Sequence, residues 1–366
     1  MRVIMTGGGT GGHIYPAIAI ANKIMERTND SEILFVGTRR GMESRLVPEN
    51  GYEIRYITVS GLNRKNMIKN IKVFRDYRKG KAQARAIIEE FKPDVVIGTG
   101  GYVSGPVVRT AAAMGIRCFL QEQNAVAGVA NRMLERYVEK IFLGFEEGGK
   151  YFKHKDKLVV SGNPVRSDFF AADPAAAREK LGIDPDNFVV LCFGGSLGAG
   201  RINKAMMEVI REYNGKEGIE VFFATGKSYY TPVMTELQDM GEDLQDNIHV
   251  LEYINNMQDV LAACDLVISR SGALTVSEIA LCGKPSILIP SPNVTGDHQT
   301  FNARAISDKG GAILLEEKKL EEGVLLEEIE QLRSNPAFME GMAEQARRCA
   351  PLDATDIIFY SITERG

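Results

Sequence analysis

The sequence predicts an α/β protein of two similar domains, each built on a parallel β-sheet, and three observations carry that expectation. Short continuous apolar runs alternate with amphipathic stretches of helical period along most of the chain, the pattern of βαβ units whose strands are covered on both faces. The runs fall into two sets with a break between them. The length, 366 residues, exceeds what one hydrophobic core comfortably serves.

The first set is RVIMT, EILFVG, DVVIGTG, CFLQEQ and KIFLGF, ending near residue 145. The second is FVVLCFGGS, VFFATG, IHVLEY, DLVISRSG and PSILIPSP, starting near residue 188. Between them, in LVVSGNPVRSDFF, residues Gly162, Asn163 and Pro164 mark a turn and hinge, because glycine and proline next to asparagine interrupt regular structure. The domains are accordingly placed at 1–163 and 164–350.

Composition excludes several classes. The chain is 44% hydrophobic and 25% charged with a net charge of -4, so nothing global argues for nucleic acid as a partner. The five cysteines (Cys118, Cys192, Cys264, Cys282 and Cys349) are widely spaced, with no CxxC pair, and read as reduced core residues. The N-terminal apolar run is too short for a signal peptide. No stretch approaches the ~20 apolar residues of a membrane span. A cytosolic protein, or one lying on a membrane, is expected.

Glycine-rich turns follow strands three times, at Gly7 to Gly12, at Gly98 to Pro106 and at Gly194 to Arg201. Open parallel sheets bind ligands beyond the carboxyl ends of their strands, where glycine lets backbone N–H groups approach phosphate at a helix start. Three such turns over both halves predict bound phosphate or pyrophosphate groups. Gly7, Gly9 and Gly12 also satisfy the dinucleotide fingerprint, and Arg39 and Arg40 after the second strand would suit the 2′-phosphate of NADP. A P-loop fails, since His13 and Ile14 stand where Lys and Ser/Thr belong. Gly194, Ser196 and Gly198 match the hydrolase elbow G-x-S-x-G, with Asp265 and His298 available as triad partners. The D-x-D at Asp184 to Asp186 contains a proline and reads as a solvated turn. No cluster has metal-ligand spacing.

Of the four histidines, His13 alone opens a helix beside a glycine turn, where an imidazole can take a proton near neutral pH. His154 and His249 read as structural. In SRSGALTVSEIALCGKPSILIP, Thr275 to Leu281 should be helical, with Glu278 on its first turns as a carboxylate able to accept ribose hydroxyls. Gly61 to Arg85 concentrates basic residues around Met67, Ile68, Ile71 and Phe74. That stretch is either a solvated helix with its apolar side in the core or an interfacial patch for anionic lipid.

GGGTGGHIYPA, GTGGYVSGP, QEQNAVAG, SGNPVR, GGSLGAGRIN, and SRSGALTVSE followed by DHQTFNA resemble, in order and spacing, the bacterial cell-wall glycosyltransferases that form lipid II. The resemblance runs nearly end to end; Gln121 stands where that family often has histidine. It implies a GT-B fold, two Rossmann-like domains with parallel sheets facing across a cleft, and a C-terminal helix (351–366) returning to the first, acceptor-binding domain. It implies inverting transfer of N-acetylglucosamine from UDP-GlcNAc to the 4-hydroxyl of the muramyl sugar of lipid I, with no metal or other cofactor. The enzyme would be peripheral, on the cytoplasmic face of the bacterial cell membrane.

Carried over by residue, Arg166, Ser196, Leu274, Thr275, Glu278 and Gln299 would hold the donor. Arg166 and Ser196 would contact the diphosphate, Glu278 the ribose, and Ile254 the uracil through its backbone. Thr10, Gly11, Gly12 and Asn124 would line the sugar and acceptor side. The acceptor pyrophosphate would lie against Gly9, Gly100, Gly101, Tyr102 and Ser104, and His13 would take or orient the proton of the attacking hydroxyl. Lys69, Lys72, Arg75 and Lys79 would form the membrane patch.

Overall fold

A computed structural model describes residues 1–61, 70–166, 169, 172–195, 197–239, 241, 243–350 and 354–364. The chain forms two compact units, Met1–Arg166 with Leu352–Gly366, and Ser167–Pro351. The division falls after Arg166, where the sequence reading ends the first domain at Asn163.

In the first unit seven parallel strands, β1 (Arg2–Gly7), β2 (Glu32–Gly37), β3 (Glu53–Tyr56), β4 (Val95–Gly100), β5 (Arg117–Glu122), β6 (Lys140–Leu143) and β7 (Leu158–Val160), stand in the order β3-β2-β1-β4-β5-β6-β7. Reversal of strand order at β1 is the Rossmann arrangement. Alternation along β1 sorts the layers: Val3 and Met5 share a core with Ile14, Ile18 and Ile24 of helix α1 (Gly11–Arg27), while Ile4 lies in the core that holds Ala84, Ile88 and Val107. Those residues belong to α3 (Asn70–Phe91) and α4 (Ser104–Ala113). Two shorter helices, α2 (Glu43–Glu49) and α5 (Val129–Leu134), follow β2 and β5.

The second unit repeats the plan with α6 (Pro174–Leu181), β8 (Phe188–Phe193), α7 (Gly200–Tyr213), β9 (Ile219–Ala224), α8 (Tyr230–Asp239), β10 (Ile248–Leu251), α9 (Met257–Ala263), β11 (Leu266–Ser269), α10 (Ala273–Leu281), β12 (Ser286–Leu288), α11 (His298–Ser307) and β13 (Ile313–Leu314). Its parallel sheet has the order β10-β9-β8-β11-β12-β13. Local chemistry sets the helix ends. Asp173 accepts the Ala176 N–H at 2.9 Å with Pro174 in the first turn, and Gly182 closes α6 at φ 72°, as capping preferences require.

Helices α12 (Val324–Arg333) and α13 (Pro336–Cys349) complete the second unit, and α14 (Ala354–Thr363) belongs to the first. The buried side chains Ile358, Phe359 and Ile362 join the core of β1 and α1. Asp356 accepts from Arg27 at 2.8 Å, and Arg117 of β5 donates to the carbonyls of Ile362 and Glu364 at the helix end. Three strands, β3, β7 and β13, are additions to the sequence reading. Each has two to four residues at or next to a sheet edge, too short for a periodic signal.

Replacing Ile358 with Ala removes a fully buried side chain and should destabilise the first unit by about 2–5 kcal/mol. Calorimetric unfolding would show that loss as a lowered transition temperature.

Candidate functional site

Parallel strands bring their carboxyl ends to one edge, and in the first unit that edge carries the turns after β1, β4 and β5. The first two turns touch. Gly101 has φ 80°, and a Cβ there would stand 2.4 Å from the Gly8 carbonyl oxygen. Gly100 has φ 113°, and its Cβ would lie 2.7 Å from Nδ1 of His13. Glycine is required at both positions by backbone conformation and by space. Thr99 ties the turns together by donating its hydroxyl to the His13 carbonyl at 2.7 Å.

His13, half-buried in the first turn of α1, has its Nδ1 2.9 Å from Oε1 of Gln123. Gln123 donates its amide N–H groups to the carbonyl of Thr99 at 2.8 Å, to that of Gln121 at 3.1 Å and to Oε1 of Gln121. Gln121 donates to Oδ1 of Asn163 at 3.0 Å, and Asn163 donates to the Gln123 carbonyl at 3.0 Å. The neighbouring Glu122 turns the other way, accepting from Gly128 N at 2.9 Å and Asn131 Nδ2 at 2.8 Å, and so shapes the loop that carries Asn124. All three side chains of this Gln-Glu-Gln run are buried.

Sequence reasoning missed Gln123, Asn163 and Thr99 as supports of His13. The signal that could have found them is three polar residues in a row at the end of an otherwise apolar strand.

Two of the expected residues are engaged within their own unit. The Gly9 N–H points to the buried carboxylate of Glu43 at 2.9 Å, and that carboxylate also accepts from Thr38 N and Thr38 Oγ1 at 2.9 and 2.7 Å. Gly9 is therefore held by a side chain of its own unit. Ser104 is fully buried, donating to the Thr6 and Gly100 carbonyls at 2.9 and 2.7 Å and accepting from Gly100 N at 3.2 Å. With its hydroxyl so engaged, it closes the β4–α4 turn, and its side chain is turned inward.

Thr10 and Gly12 are exposed, Gly11 and Asn124 half-buried, and Tyr102 is 64% exposed, all at the same edge. Helix α1 has no side-chain cap and no acid in its first turn. Its leading amides thus retain the partial positive charge of a helix start.

In the second unit the expected donor residues also gather at the carboxyl edge of the sheet. Ile254 follows β10, with its side chain buried and only its backbone available to a ligand. Leu274, Thr275 and Glu278 lie half-buried on α10, whose start has neither a side-chain cap nor an acid in the first turn. Gln299, after β12, spends its oxygen on Ser291 N at 2.8 Å; its amide N–H groups are its remaining donors. After β8, Gly198 packs so closely that a Cβ would meet the Thr225 carbonyl at 2.1 Å, and α7 likewise starts without a side-chain cap. Ser196 lies outside the described residues. Arg166 is exposed at the end of the first unit.

The described part of the basic stretch from Asn70 on lies in α3. Lys72, Arg75 and Lys79 are exposed, and so are Ile71 at 73% and Phe74 at 66%. A helix turning its apolar side into a core would bury those two residues, so the core-packed alternative does not hold for them. Lys69, with Arg64, Lys65, Met67 and Ile68, lies outside the described residues.

Several residues behind the competing readings have partners within the chain. Asp265 accepts from Val189 N and Arg178 at 2.8 Å, at the amino end of β8, whereas the G-x-S-x-G segment follows its carboxyl end. Arg39 stacks on Tyr56 at 4.8 Å. Asp184 accepts the Asp186 N–H at 2.9 Å, an Asx turn. The cysteines are free thiols, and burial pushes those of Cys118 and Cys264 up to about 12 and that of Cys282 to about 11, which makes them poor nucleophiles.

Comparison with known proteins accords with this geometry. Residues 3–143 match the glycosyltransferase family 28 N-terminal domain and residues 189–357 its C-terminal domain. A relative in Alkaliphilus oremlandii is 45% identical over 98% of this chain and 97% of its own. One in Acetivibrio thermocellus is 44% identical over 100% and 98%. Both are named UDP-N-acetylglucosamine–N-acetylmuramyl-(pentapeptide) pyrophosphoryl-undecaprenol N-acetylglucosamine transferase. The crystal structure of Acinetobacter baumannii MurG superimposes with a TM-score of 0.78 at 28% identity, covering 100% of this chain and 99% of that one. A UDP-GlcNAc 2-epimerase from Neisseria meningitidis gives 0.69 at 16% identity with full coverage of both chains, a likeness of fold alone. The GT-B class expected from the sequence is the fold of this chain.

Glu43→Gln tests the support of the first turn. One carboxylate oxygen becomes an NH₂ facing either Gly9 N–H or Thr38 N–H, a donor against a donor. The expected loss is about 1–3 kcal/mol, read as a lowered unfolding midpoint in urea; an unchanged midpoint would remove Glu43 as the anchor of the turn.

Proposed function

The chain belongs to glycosyltransferase family 28 and, within it, to the transferases that form lipid II, and from that premise we infer how its own residues carry the reaction. It transfers N-acetylglucosamine from UDP-GlcNAc to lipid I, producing lipid II for peptidoglycan. The first unit takes the acceptor and the second the donor. One observation carries this reading: His13 stands in the first turn of a helix with no side-chain cap, against the glycines of a second turn, on a sheet edge that otherwise offers amides and hydroxyls.

The chemistry is a single displacement with inversion. The muramyl 4-oxygen forms a bond to the anomeric carbon while the bond from that carbon to the β-phosphate oxygen breaks, and UDP leaves with the electron pair. His13 takes the hydroxyl proton as it is released, the role to which an imidazole side chain is suited as a general base. Charge growing on the leaving diphosphate is met by the starts of α7 and α10, with Ser196, Thr275 and Arg166 as donors. Glu278 holds the ribose, the Ile254 backbone holds the uracil, and Leu274 and Gln299 line the donor sugar. Thr10, Gly11, Gly12, Asn124, Gly100, Gly101 and Tyr102 serve the acceptor. UDP-GlcNAc is a substrate, and no metal or other cofactor enters this reading.

The acceptor is anchored by a polyprenyl tail, so the enzyme must work at a membrane surface. Among the described residues no helix is long and apolar enough to cross a membrane. Ile71 and Phe74, ringed by Lys72, Arg75 and Lys79, fit peripheral attachment at the cytoplasmic face. Basic side chains meet anionic headgroups there while the apolar pair enters the interface.

His13→Ala should lower kcat by about 10²–10⁴-fold while calorimetry still finds UDP-GlcNAc bound near wild-type affinity in the presence of EDTA. Equal loss of turnover and donor affinity would reassign His13 to binding. Replacing Lys72, Arg75 and Lys79 together by Gln removes about 1 kcal/mol of attraction per charge. Sedimentation with anionic vesicles should then show roughly a hundredfold weaker binding, with activity on a short-chain acceptor retained. Undiminished sedimentation would leave α3 an ordinary solvated helix.

A further inference from the structure

Resting on the reading of His13 as the base, we propose that Gln123 is a positioning residue that holds His13 as its Nδ1–H tautomer and so presents Nε2 to the attacking hydroxyl. The assignment needs no hydrogen to be seen, because backbone carbonyls decide it. A glutamine amide has one end that only donates and one that only accepts. The carbonyls of Thr99 and Gln121 can only accept, and both lie against the same end of Gln123, at 2.8 and 3.1 Å. That end is therefore Nε2, and the end facing His13 is Oε1. An oxygen that only accepts, 2.9 Å from Nδ1, requires the proton on Nδ1.

The rest of the network closes on the same polarity. Asn163 must donate to the Gln123 carbonyl, which turns its Oδ1 toward the Gln121 amide at 3.0 Å. Gln121 then has Oε1 left to accept from Gln123. Every bond in the series runs in one sense, from His13 to Gln123, Gln121 and Asn163, so none can flip without leaving a buried donor against a donor. Such an error costs more than the bond itself contributes. Free histidine in water favours the opposite tautomer, with the lone pair on Nδ1, so the network reverses an intrinsic preference.

The reversal serves the reaction. Nδ1 faces the interior, against Gln123 and the space left by Gly100, and a lone pair there would meet no substrate. With the proton on Nδ1, the lone pair sits on Nε2 at the opposite edge of the ring. When Nε2 takes the hydroxyl proton, the imidazolium keeps its Nδ1–H bond to Gln123, now charge-assisted and stronger.

The test uses the full-length protein labelled with 15N-histidine. Long-range 1H–15N correlation spectra distinguish the two tautomers of a neutral imidazole, and the His13→Ala spectrum identifies the His13 signals among the four histidines. The wild type should show Nδ1 protonated and Nε2 bare. Gln123→Met, close in size and unable to accept the bond, should shift His13 toward Nε2–H. It should also lower kcat roughly 100-fold, the lower end of what a positioned general base contributes, with KM for UDP-GlcNAc unchanged.

A wild-type spectrum with the proton on Nε2 overturns the proposal, whatever becomes of the variant's folding. So does a folded Gln123→Met that keeps wild-type kcat. Full turnover in His13→Ala would instead sink the base reading and leave the relay without a purpose, while the wild-type spectrum still reports the tautomer.

Discussion

Backbone meets backbone where the turns after β1 and β4 touch, and the chemistry of the first unit depends on that contact. Adjacent parallel strands deliver their turns to the same edge, and at the spacing of neighbouring strands a side chain at Gly100 or Gly101 would collide with His13 or with the Gly8 carbonyl. The glycines do more than open space for phosphate. They let one turn press on the next, so that His13 sits against main chain on one side and a buried amide on the other. A histidine held this way has one usable nitrogen, and its position is set by the sheet rather than by a mobile loop.

The second unit applies the same rule with a different result. Gly198 and Gly226 back onto each other so closely that a Cβ on Gly226 would stand 2.3 Å from Gly198 N. The turns after β8 and β9 are thereby fixed side by side. What emerges at the tip is Leu197, 80% exposed, not a titratable group. The edge of the first unit presents an imidazole held between glycine turns and a buried amide, and that of the second presents helix starts without side-chain caps.

Buried polarity makes this possible at a stability cost that is closely offset. Gln121, Glu122 and Gln123 are all buried at the end of β5, where uncompensated polar groups would each cost several kcal/mol, about 1–3 on protein scales. Each finds partners: Glu122 shapes the Asn124 loop, and the two glutamines carry the relay behind His13. Glu43 does the same for the first glycine turn through Gly9 and Thr38. These side chains touch no expected ligand, yet they determine where the ligand-facing groups stand.

The sequence by itself determined the two-unit α/β plan, the parallel sheets and the glycine turns that lead from strand ends into helices, with His13 in the first turn of α1. Continuous apolar runs, glycine turns and ordered motifs are local features, and each states its own meaning. Short edge strands stayed silent because two to four residues show no period. Tertiary structure alone decided which polar groups point inward. Glu43 holds Gly9, the Thr6 carbonyl holds the Ser104 hydroxyl, and the Gln123 amide meets His13. Such roles come from partners 34 to 110 positions away in the chain, and a hydrogen bond across that distance leaves no trace in the local pattern of residues.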